Sequence, residues 1–450
     1  MIYSSSRNTR DCSRGIGVYT QKRKDKRVLN REQEVITANM KSLKGKCVLL
    51  GITGGIAAYK MANVASALHK AGAKVHVIMT ENATKFITPL TFETLTGSKC
   101  MVDTFDRDFE FDVKHISVAK EADVILVAPA TADVIAKMAH GIADDMLTTV
   151  ILAAKCPKLV SPSMNTAMLE NPITQDNIGL LRKYGFTVIN SASGYLACGD
   201  TGSGKLPEPE VLCEWIEREI AYPDKPMKGV KVVVTAGPTQ EALDPVRFLT
   251  NHSSGKMGYA IAHEAMLRGA SVTLISGQVS LPPVPFVNMR SITSAADMFE
   301  AIREELSDTD ILIKAAAVAD YRPASVADHK IKKGIADDSN PIAGNEKDGM
   351  SIPLARTQDI LGWVAENRHP GLFVCGFSME TENLLANSSK KLAKKKLDMI
   401  VANSLRTAGA GFGVDTNVVT LITKDGAQEL PLMSKEDVAG QIFDKIKSMR

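Results

Sequence analysis

The residues best suited to chemistry come in clusters of glycine, hydroxyl, amide and lysine side chains placed just after short aliphatic runs. Gly51-Ile-Thr-Gly-Gly55 follows Cys47–Leu50 and continues to Lys60. Glycines let a backbone approach an anion, and a helix opening there offers free N–H groups and the positive end of its dipole. The spacing is not Gly-x-Gly-x-x-Gly, and Met79-Thr80 rather than an acidic residue closes the next strand, so a mononucleotide fits better than a dinucleotide. Asn165 lies in Pro162-Ser-Met-Asn-Thr-Ala-Met168, and Cys198 lies among Gly194, Gly199, Gly202 and Gly204. Gly199–Lys205 matches most of a Walker A loop. However, Leu206 stands where the Mg²⁺-binding hydroxyl belongs, and Pro207 and Pro209 where a helix should open, so that reading is rejected. His115, in Asp112-Val-Lys-His-Ile116, has the side chain for proton transfer near neutral pH; a lone histidine beside Ile116 otherwise packs or makes a surface contact.

A second set follows. Gly237–Phe248 leads into Asn251-His-Ser-Ser-Gly-Lys-Met-Gly258 and an amphipathic helix expected over Met257–Arg268. Hydroxyls, a glycine and a lysine at that helix start describe either an anion site or a plain serine cap. Lys330-Ile-Lys-Lys333 and the lysine run 390–396 would each be a solvated face on their own. Beside Gly376-Phe-Ser-Met-Glu-Thr381, the second run reads as a phosphate-binding face next to a slot for a base.

The elements that must position these groups repeat. Lys44-Gly45 and Lys228-Gly229 each precede a strand, a polar loop, a helix ending in Gly-Ala, and a second strand, at Val75–Met79 and Val272–Ile275 respectively. That is the opening βαβ unit of a doubly wound sheet, seen twice. Further strands are expected at Asp123–Val127, Lys158–Ser161, Asp310–Lys314 and Leu372–Cys375, with the polar motifs at their C-terminal ends, where parallel sheets bind ligands. The fold class is therefore α/β, with two Rossmann-like three-layer domains over 40–226 and 227–450, joined through the proline-containing stretch Tyr222–Pro226.

Residues 1–39 carry nine Lys/Arg against four Asp/Glu and no apolar periodicity. They are either a disordered basic tail or upstream sequence included by a start codon placed too early; a strand beginning soon after Met40 favours the second. Without that excess the net charge falls from +3 to −2, so the basicity belongs to the tail and argues for neither nucleic acid nor membrane. No apolar run reaches the roughly 18 residues needed to cross a bilayer, and the start lacks the apolar region of a signal peptide. Seven scattered cysteines without a Cys-x-x-Cys pair describe reduced thiols and a cytoplasmic protein.

Taken together, Gly51–Lys60, Ala128-Pro-Ala-Thr131, Pro-Ser-Met-Asn and Ala197-Cys-Gly-Asp200 resemble the phosphopantothenoylcysteine decarboxylases among the FMN-dependent cysteine decarboxylases, over roughly 40–205. The resemblance implies FMN held by Gly51, Thr53, Gly54, Gly55, Thr80, Pro129, Ala130 and Thr131. It implies that the flavin oxidises the cysteinyl thiol, creating an electron sink that releases CO₂. His115 would then assist proton removal, Asn165 would hold the substrate carboxylate, and Cys198, on a glycine-rich flap, would donate the final proton. Cys47, Cys100, Cys156, Cys213 and Cys375 are read as structural.

Residues 228–450 resemble the phosphopantothenate–cysteine ligases through Asn-x-Ser-Ser-Gly-x-Met-Gly, Ala-Val-Ala-Asp and Lys-x-Lys-Lys. This implies activation of the acid by CTP with Mg²⁺, then displacement by cysteine. Asn251 would serve the second half-reaction and Lys330 the bound nucleotide. Ala316, Asp320, Gln358, Asp359, Ile360, Leu361, Phe377, Lys391 and Lys395 fall on CTP-contacting positions. The family usually has Pro-Asp where this chain has Gln358-Asp359, which puts the local turn in doubt, and no carboxylate cage for Mg²⁺ is evident. Family resemblance further implies flavin trimers and ligase dimers, combinable as a dodecamer. The rivals are a flavin-binding regulatory protein, disfavoured because both His115 and Cys198 are present, and a two-domain NAD(P) oxidoreductase.

Overall fold

The computed structural model describes residues 40–105, 114–195, 201–331, 351–380, 383–404, 411 and 413–450. The chain divides into two compact units, with the break between Pro223 and Asp224.

The first unit is built on a parallel sheet of β1 (Cys47–Ile52), β2 (Lys74–Met79), β3 (Val124–Ala130), β4 (Lys158–Pro162) and β5 (Thr187–Val188), in the order β2-β1-β3-β4-β5. Near-continuous aliphatic runs form these strands because helices cover both faces. Val48, Leu50 and Ile52 enter one core layer, while Leu49 and Ile78 enter the other. The helices are α1 (Met61–Lys70), α2 (Pro89–Thr96), α3 (Lys114–Glu121), α4 (Ala132–His140), α5 (Met146–Ala153), α6 (Thr166–Glu170), α7 (Pro172–Lys183) and α8 (Pro209–Ile220). β6 (Ala192–Tyr195) and β7 (Thr201–Lys205) pair antiparallel. Gly202–Lys205 is thus strand, which agrees with rejecting a phosphate loop there. The strand order reverses between β1 and β3, which makes that crevice the ligand position expected of such a sheet.

The second unit has an eight-stranded sheet. Its strands are β8 (Lys231–Ala236), β11 (Ser271–Ser276), β12 (Asn288–Ser291), β13 (Ile311–Lys314), β16 (Phe373–Glu380), β17 (Met399–Ser404), β19 (Val419–Thr423) and β20 (Gly426–Glu429). The order is β12-β11-β8-β13-β16-β17-β19-β20, parallel as far as β17 and antiparallel beyond it. Short pairs join β9 (Gln240–Ala242) with β10 (Phe248–Thr250), β14 (Tyr321–Pro323) with β15 (Leu354–Arg356), and β18 (Thr416–Asn417) with β21 (Met433–Ser434). The helices are α9 (Lys256–Leu267), α10 (Ala295–Glu305), α11 (Ile360–Asn367), α12 (Leu384–Lys394) and α13 (Lys435–Met449). Here the reversal falls between β8 and β13.

Two expected boundaries move. β1 runs through Gly51 to Ile52, and β16 runs on to Glu380, so Gly51 and Phe377 belong to strands rather than to the loops after them.

Candidate functional sites

In the first unit the segments leaving β1 and β3 are stitched together by one hydroxyl. Thr53 Oγ1 donates to the Pro129 carbonyl (2.5 Å) and accepts from Thr131 N (3.1 Å), and Thr53 is fully buried. Thr131 then caps α4 by accepting from Val134 N. Beside this stitch lies a cavity of about 460 Å³ lined by Gly54, Gly55, Thr131 and Asn165 among the expected residues, with Ser163 and Tyr195. Asn165 caps α6, its Oδ1 accepting from Ala167 N at 2.8 Å, and lines the cavity. Lys60 and Lys205 also line it and share Glu208, at 2.9 and 3.3 Å. The Lys60 hydrogen bond holds the Glu208 carboxyl below its usual range.

Gly204 brings the β6–β7 hairpin onto the site. Its φ is +116° and an added Cβ would lie 2.1 Å from the Met164 carbonyl oxygen, so only glycine lets β7 cross the Met164–Asn165 backbone. Thr166 Oγ1 donates to Ser203 O (2.7 Å) and Met164 N to Gly204 O (3.0 Å), completing the crossing.

The other expected residues of this unit are spread more widely. Gly51 is in β1, where a Cβ would strike Leu147 Cδ1 at 2.5 Å, so its glycine answers to packing within the core. Thr80 donates its N–H to Ile52 O, and neither it, Pro129 nor Ala130 lines the cavity. His115 is half-buried on α3 and is not among the cavity's lining residues. Cys198 lies outside the described residues, as does Asp112. Burial pushes the Cys47 and Cys100 thiols up to about 12 and raises Cys156, Cys213 and Cys375 as well, which fits inert thiols. Among the described residues, Cys47, His76 and Glu121 form a grouping of metal-ligand type. It lies where β1 and β2 begin, and Glu121 is already held by Lys74 and by His76 Nε2 (2.9 Å).

The second unit uses the same device at its own crevice. Buried Thr235 accepts from Ala316 N (3.2 Å), and buried Thr239 accepts from Ala319 N (3.1 Å). Asn251 Nδ2 donates to Ala317 O at 3.0 Å, so Asn251 and Ala316 are brought together at the strand reversal. Lys256 is engaged within the protein: its ammonium donates to Gly413 O and to the Asp415 carboxylate, at 3.0 and 2.6 Å. Asp320, Asp359, Lys391 and Lys395 cluster around the end of β13, all acting electrostatically on Lys314. Asp359 caps α11 through Gly362 N (3.0 Å) and pairs with Lys395. Against the opposing effect of burial, Lys395 and that N–H hold its carboxyl below the usual range. Lys391 Nζ donates to Phe377 O at 2.9 Å. Gln358 is exposed, whereas Ile360 and Leu361 are core residues at the start of α11.

Lys330 is exposed but sits next to a fixed point. Ile331 N donates to Asp244 Oδ2 (3.1 Å), and its carbonyl accepts from Arg247 Nη2 (2.7 Å). Asp244, almost wholly buried, also accepts from Val246 N and from Arg247 N and Nε. Burial alone would raise its carboxyl; the Arg247 side chain and these N–H groups hold it well below the usual range. Sequence reasoning passed over Asp244, Arg247, Thr53's role as a stitch, and Thr235. Asp244 and Arg247 are three residues apart in a turn, but the partner they hold is more than eighty residues downstream, where no local pattern points.

These two sites, each on the C-terminal edge of a parallel sheet, belong to a pair of doubly wound α/β units. A family model described as Flavoprotein matches residues 36–221, and one described as DNA/pantothenate metabolism flavoprotein C-terminal domain matches 227–449. The Coenzyme A biosynthesis bifunctional protein CoaBC of Bacillus subtilis (strain 168) is 47% identical over 410 residues, covering 90% of this chain and 98% of that protein. Its counterpart in Escherichia coli (strain K12) is 40% identical over 407 residues, covering 90% and 97%. The solved C-terminal domain of a CoaBC protein is 41% identical with a TM-score of 0.41, over 50% of this chain and 98% of that one. The chain belongs to the family of coenzyme A biosynthesis bifunctional proteins, CoaBC. It is an enzyme that combines phosphopantothenoylcysteine decarboxylase and phosphopantothenate–cysteine ligase activities.

Proposed function

We propose that residues 227–450 ligate 4′-phosphopantothenate to cysteine with CTP, through an acyl-cytidylate, and that residues 40–226 decarboxylate the resulting phosphopantothenoylcysteine to 4′-phosphopantetheine. The observation that carries the reading is the matched placement of Asn165 at the cavity beside the β1/β3 crevice and Asn251 at the β8/β13 crevice. The cavity suits FMN: Gly54 and Gly55 put no side chain into it, and Thr131 and the rim lysines Lys60 and Lys205 offer polar and cationic contacts. FMN, when bound, would take two electrons from the cysteinyl thiol, making the thioaldehyde that serves as electron sink while the carboxylate departs as CO₂. Asn165 orients that carboxylate with its amide, His115 takes the thiol proton, and Cys198 returns a proton at the end.

In the other unit Lys330 places positive charge on the nucleotide phosphates as negative charge develops, and Asn251 serves the attack of cysteine's amine. Asp320, Lys391, Lys395 and the start of α11 surround the nucleotide, and Mg²⁺ accompanies its phosphates. The ligase works upstream of the decarboxylase although it follows it in the chain. On the family resemblance we favour association of flavin units in trimers, with ligase dimers and a cytoplasmic dodecamer. A monomeric mass at working concentration contradicts it.

The test incubates phosphopantothenate, cysteine and CTP or ATP with wild type and Cys198→Ser. Pyrophosphate release is expected from both proteins, and normal 4′-phosphopantetheine formation only from wild type. Decarboxylation by Cys198→Ser at the wild-type rate removes Cys198 from the mechanism.

A further inference from the structure

Cys47, His76 and Glu121 have no part in either site described above, yet they offer three ligand atoms of different kinds that all lie within 4.8 Å of one another. The strands explain the convergence. β1 and β2 run parallel with Cys47 opposite Lys74 and Leu49 opposite His76. Leu49 and Ile78 enter the same core layer, so alternation puts Cys47 and His76, each two residues earlier, on that face. Val118 and Ala119 of α3 pack into this layer too, which brings Glu121, the last residue of the helix, to the same edge. Asp123 accepts from Cys47 N at 2.8 Å and fixes the start of β1.

The donor set has a definite preference. A thiol, an imidazole and a carboxylate together suit Zn²⁺, whereas Mg²⁺ and Ca²⁺ take oxygen ligands. Zn–S bonds of about 2.3 Å and Zn–N and Zn–O bonds of about 2.0–2.2 Å set tetrahedral ligand atoms about 3.3–3.7 Å apart. The observed limit of 4.8 Å closes to that with side-chain movement of about an ångström. His76 Nε2 and Glu121 Oε2 already meet at 2.9 Å, while Lys74 pairs with Oε1. Oε2 can therefore turn from the imidazole to an ion while Lys74 keeps the other oxygen, as the carboxylates that ligate metals are held. Cys47 is buried, His76 half-buried and Glu121 exposed, so an ion enters beside the carboxylate and water completes the fourth position there. A cation at this place also meets the negative end of the α3 dipole.

We propose that Cys47, His76 and Glu121 form a Zn²⁺ site that braces the flavin unit at the edge of its sheet opposite the cavity. On binding, a Zn–S bond forms as the S–H bond of Cys47 breaks, and the proton leaves to solvent. The imidazole binds neutral, its proton on Nδ1, and the carboxylate is already ionised, so the thiol is the one source of released protons. None of the three residues lines the cavity. A rise of about 3.3 Å per residue sets Thr53 about 20 Å along the chain from Cys47, so the ion takes no part in decarboxylation. It holds the last residue of α3, the helix that carries His115 in its first turn.

The test uses the full FMN-loaded chain, stripped of adventitious metal and kept in Mg²⁺, as wild type, Cys47→Ser, His76→Gln, Glu121→Gln and, for a buried thiol elsewhere, Cys100→Ser. Zn²⁺ is titrated calorimetrically in buffers of different ionisation enthalpy. Co²⁺ is titrated by its absorption in the red, beyond the flavin bands, and the temperature of flavin release is recorded with and without metal. Wild type and Cys100→Ser should bind about one Zn²⁺ with release of about one proton, show tetrahedral Co²⁺ absorption, and hold flavin to a higher temperature when metal is present. Each of the three ligand variants should bind Zn²⁺ about tenfold or more weakly. Wild-type affinity in Cys47→Ser or His76→Gln overturns the proposal, as does loss of binding in Cys100→Ser equal to that in Cys47→Ser. The wild-type readings decide even where a variant folds poorly: no Co²⁺ absorption, zinc binding without proton release, or an unshifted flavin release each overturns it.

Discussion

Thr53 and Thr235 occupy equivalent places, each a buried hydroxyl reaching from the first strand of its sheet, or the turn after it, to the segment after the switch strand. Thr53→Val keeps shape but strands the Pro129 carbonyl and the Thr131 N–H. The expected cost is about 1–3 kcal/mol, with flavin lost on gel filtration, and thermal melting with flavin content checks it. Lys330→Gln is expected to abolish ligation and leave decarboxylation intact, read by pyrophosphate release and by decarboxylation of supplied phosphopantothenoylcysteine. Glu214 gives a pH signature: burial, then Glu210, raises its carboxyl to about 7. The folded state then binds more protons than the unfolded one between about pH 4.5 and 7, so this group's contribution to stability falls as pH rises through that window. Glu214→Gln should flatten the loss and stabilise the first unit at pH 8 by on the order of 1 kcal/mol after allowance for solvent screening, with no gain at pH 4; equal melting curves at pH 8 refute it.

At the scale of elements, the β6–β7 hairpin is fixed by one glycine. Gly204→Ala drives a methyl into the Met164 carbonyl and must lift the hairpin from Asn165. Decarboxylation should fall at least tenfold while ligation holds, because an ångström of misplacement at a reacting group is costly; parallel assays of both half-reactions decide it. The same region shows what was legible beforehand. Glycine loops, aliphatic strands and the Gly-Ala turns announce themselves locally, so both βαβ openings and the glycines that line the cavity could be read directly. Strand ends could not: β16 reaches Glu380 because β17 supplies a paired partner as far as Ser404. The pairing of Lys256 was hidden for the same reason, since Asp415 is remote in sequence.

For the molecule as a whole, two units imply two thermal reporters. Trp215 belongs to α8 of the first and Trp363 to α11 of the second, where it packs edge-on against Phe299 at 5.1 Å. A ligand stabilises the fold that binds it, by about 2.7 kcal/mol at a hundred times its Kd. Saturating CTP should therefore raise the midpoint reported by Trp363 in a Trp215→Phe chain and leave the temperature of flavin release unchanged. A shift in flavin release alone would assign the nucleotide to the wrong unit. None of the described helices is long and apolar enough to cross a membrane.

The grip of Asp244 and Arg247 on both polar groups of Ile331 has a further consequence for Lys330. A residue adjoining an immobilised peptide group is on a short leash, and the ammonium it carries sweeps only a small volume. Its local concentration in that volume exceeds anything a dissolved amine readily reaches. Chemical rescue of Lys330→Ala by added alkylamine should therefore need concentrations above the millimolar level that even a flexible tether provides.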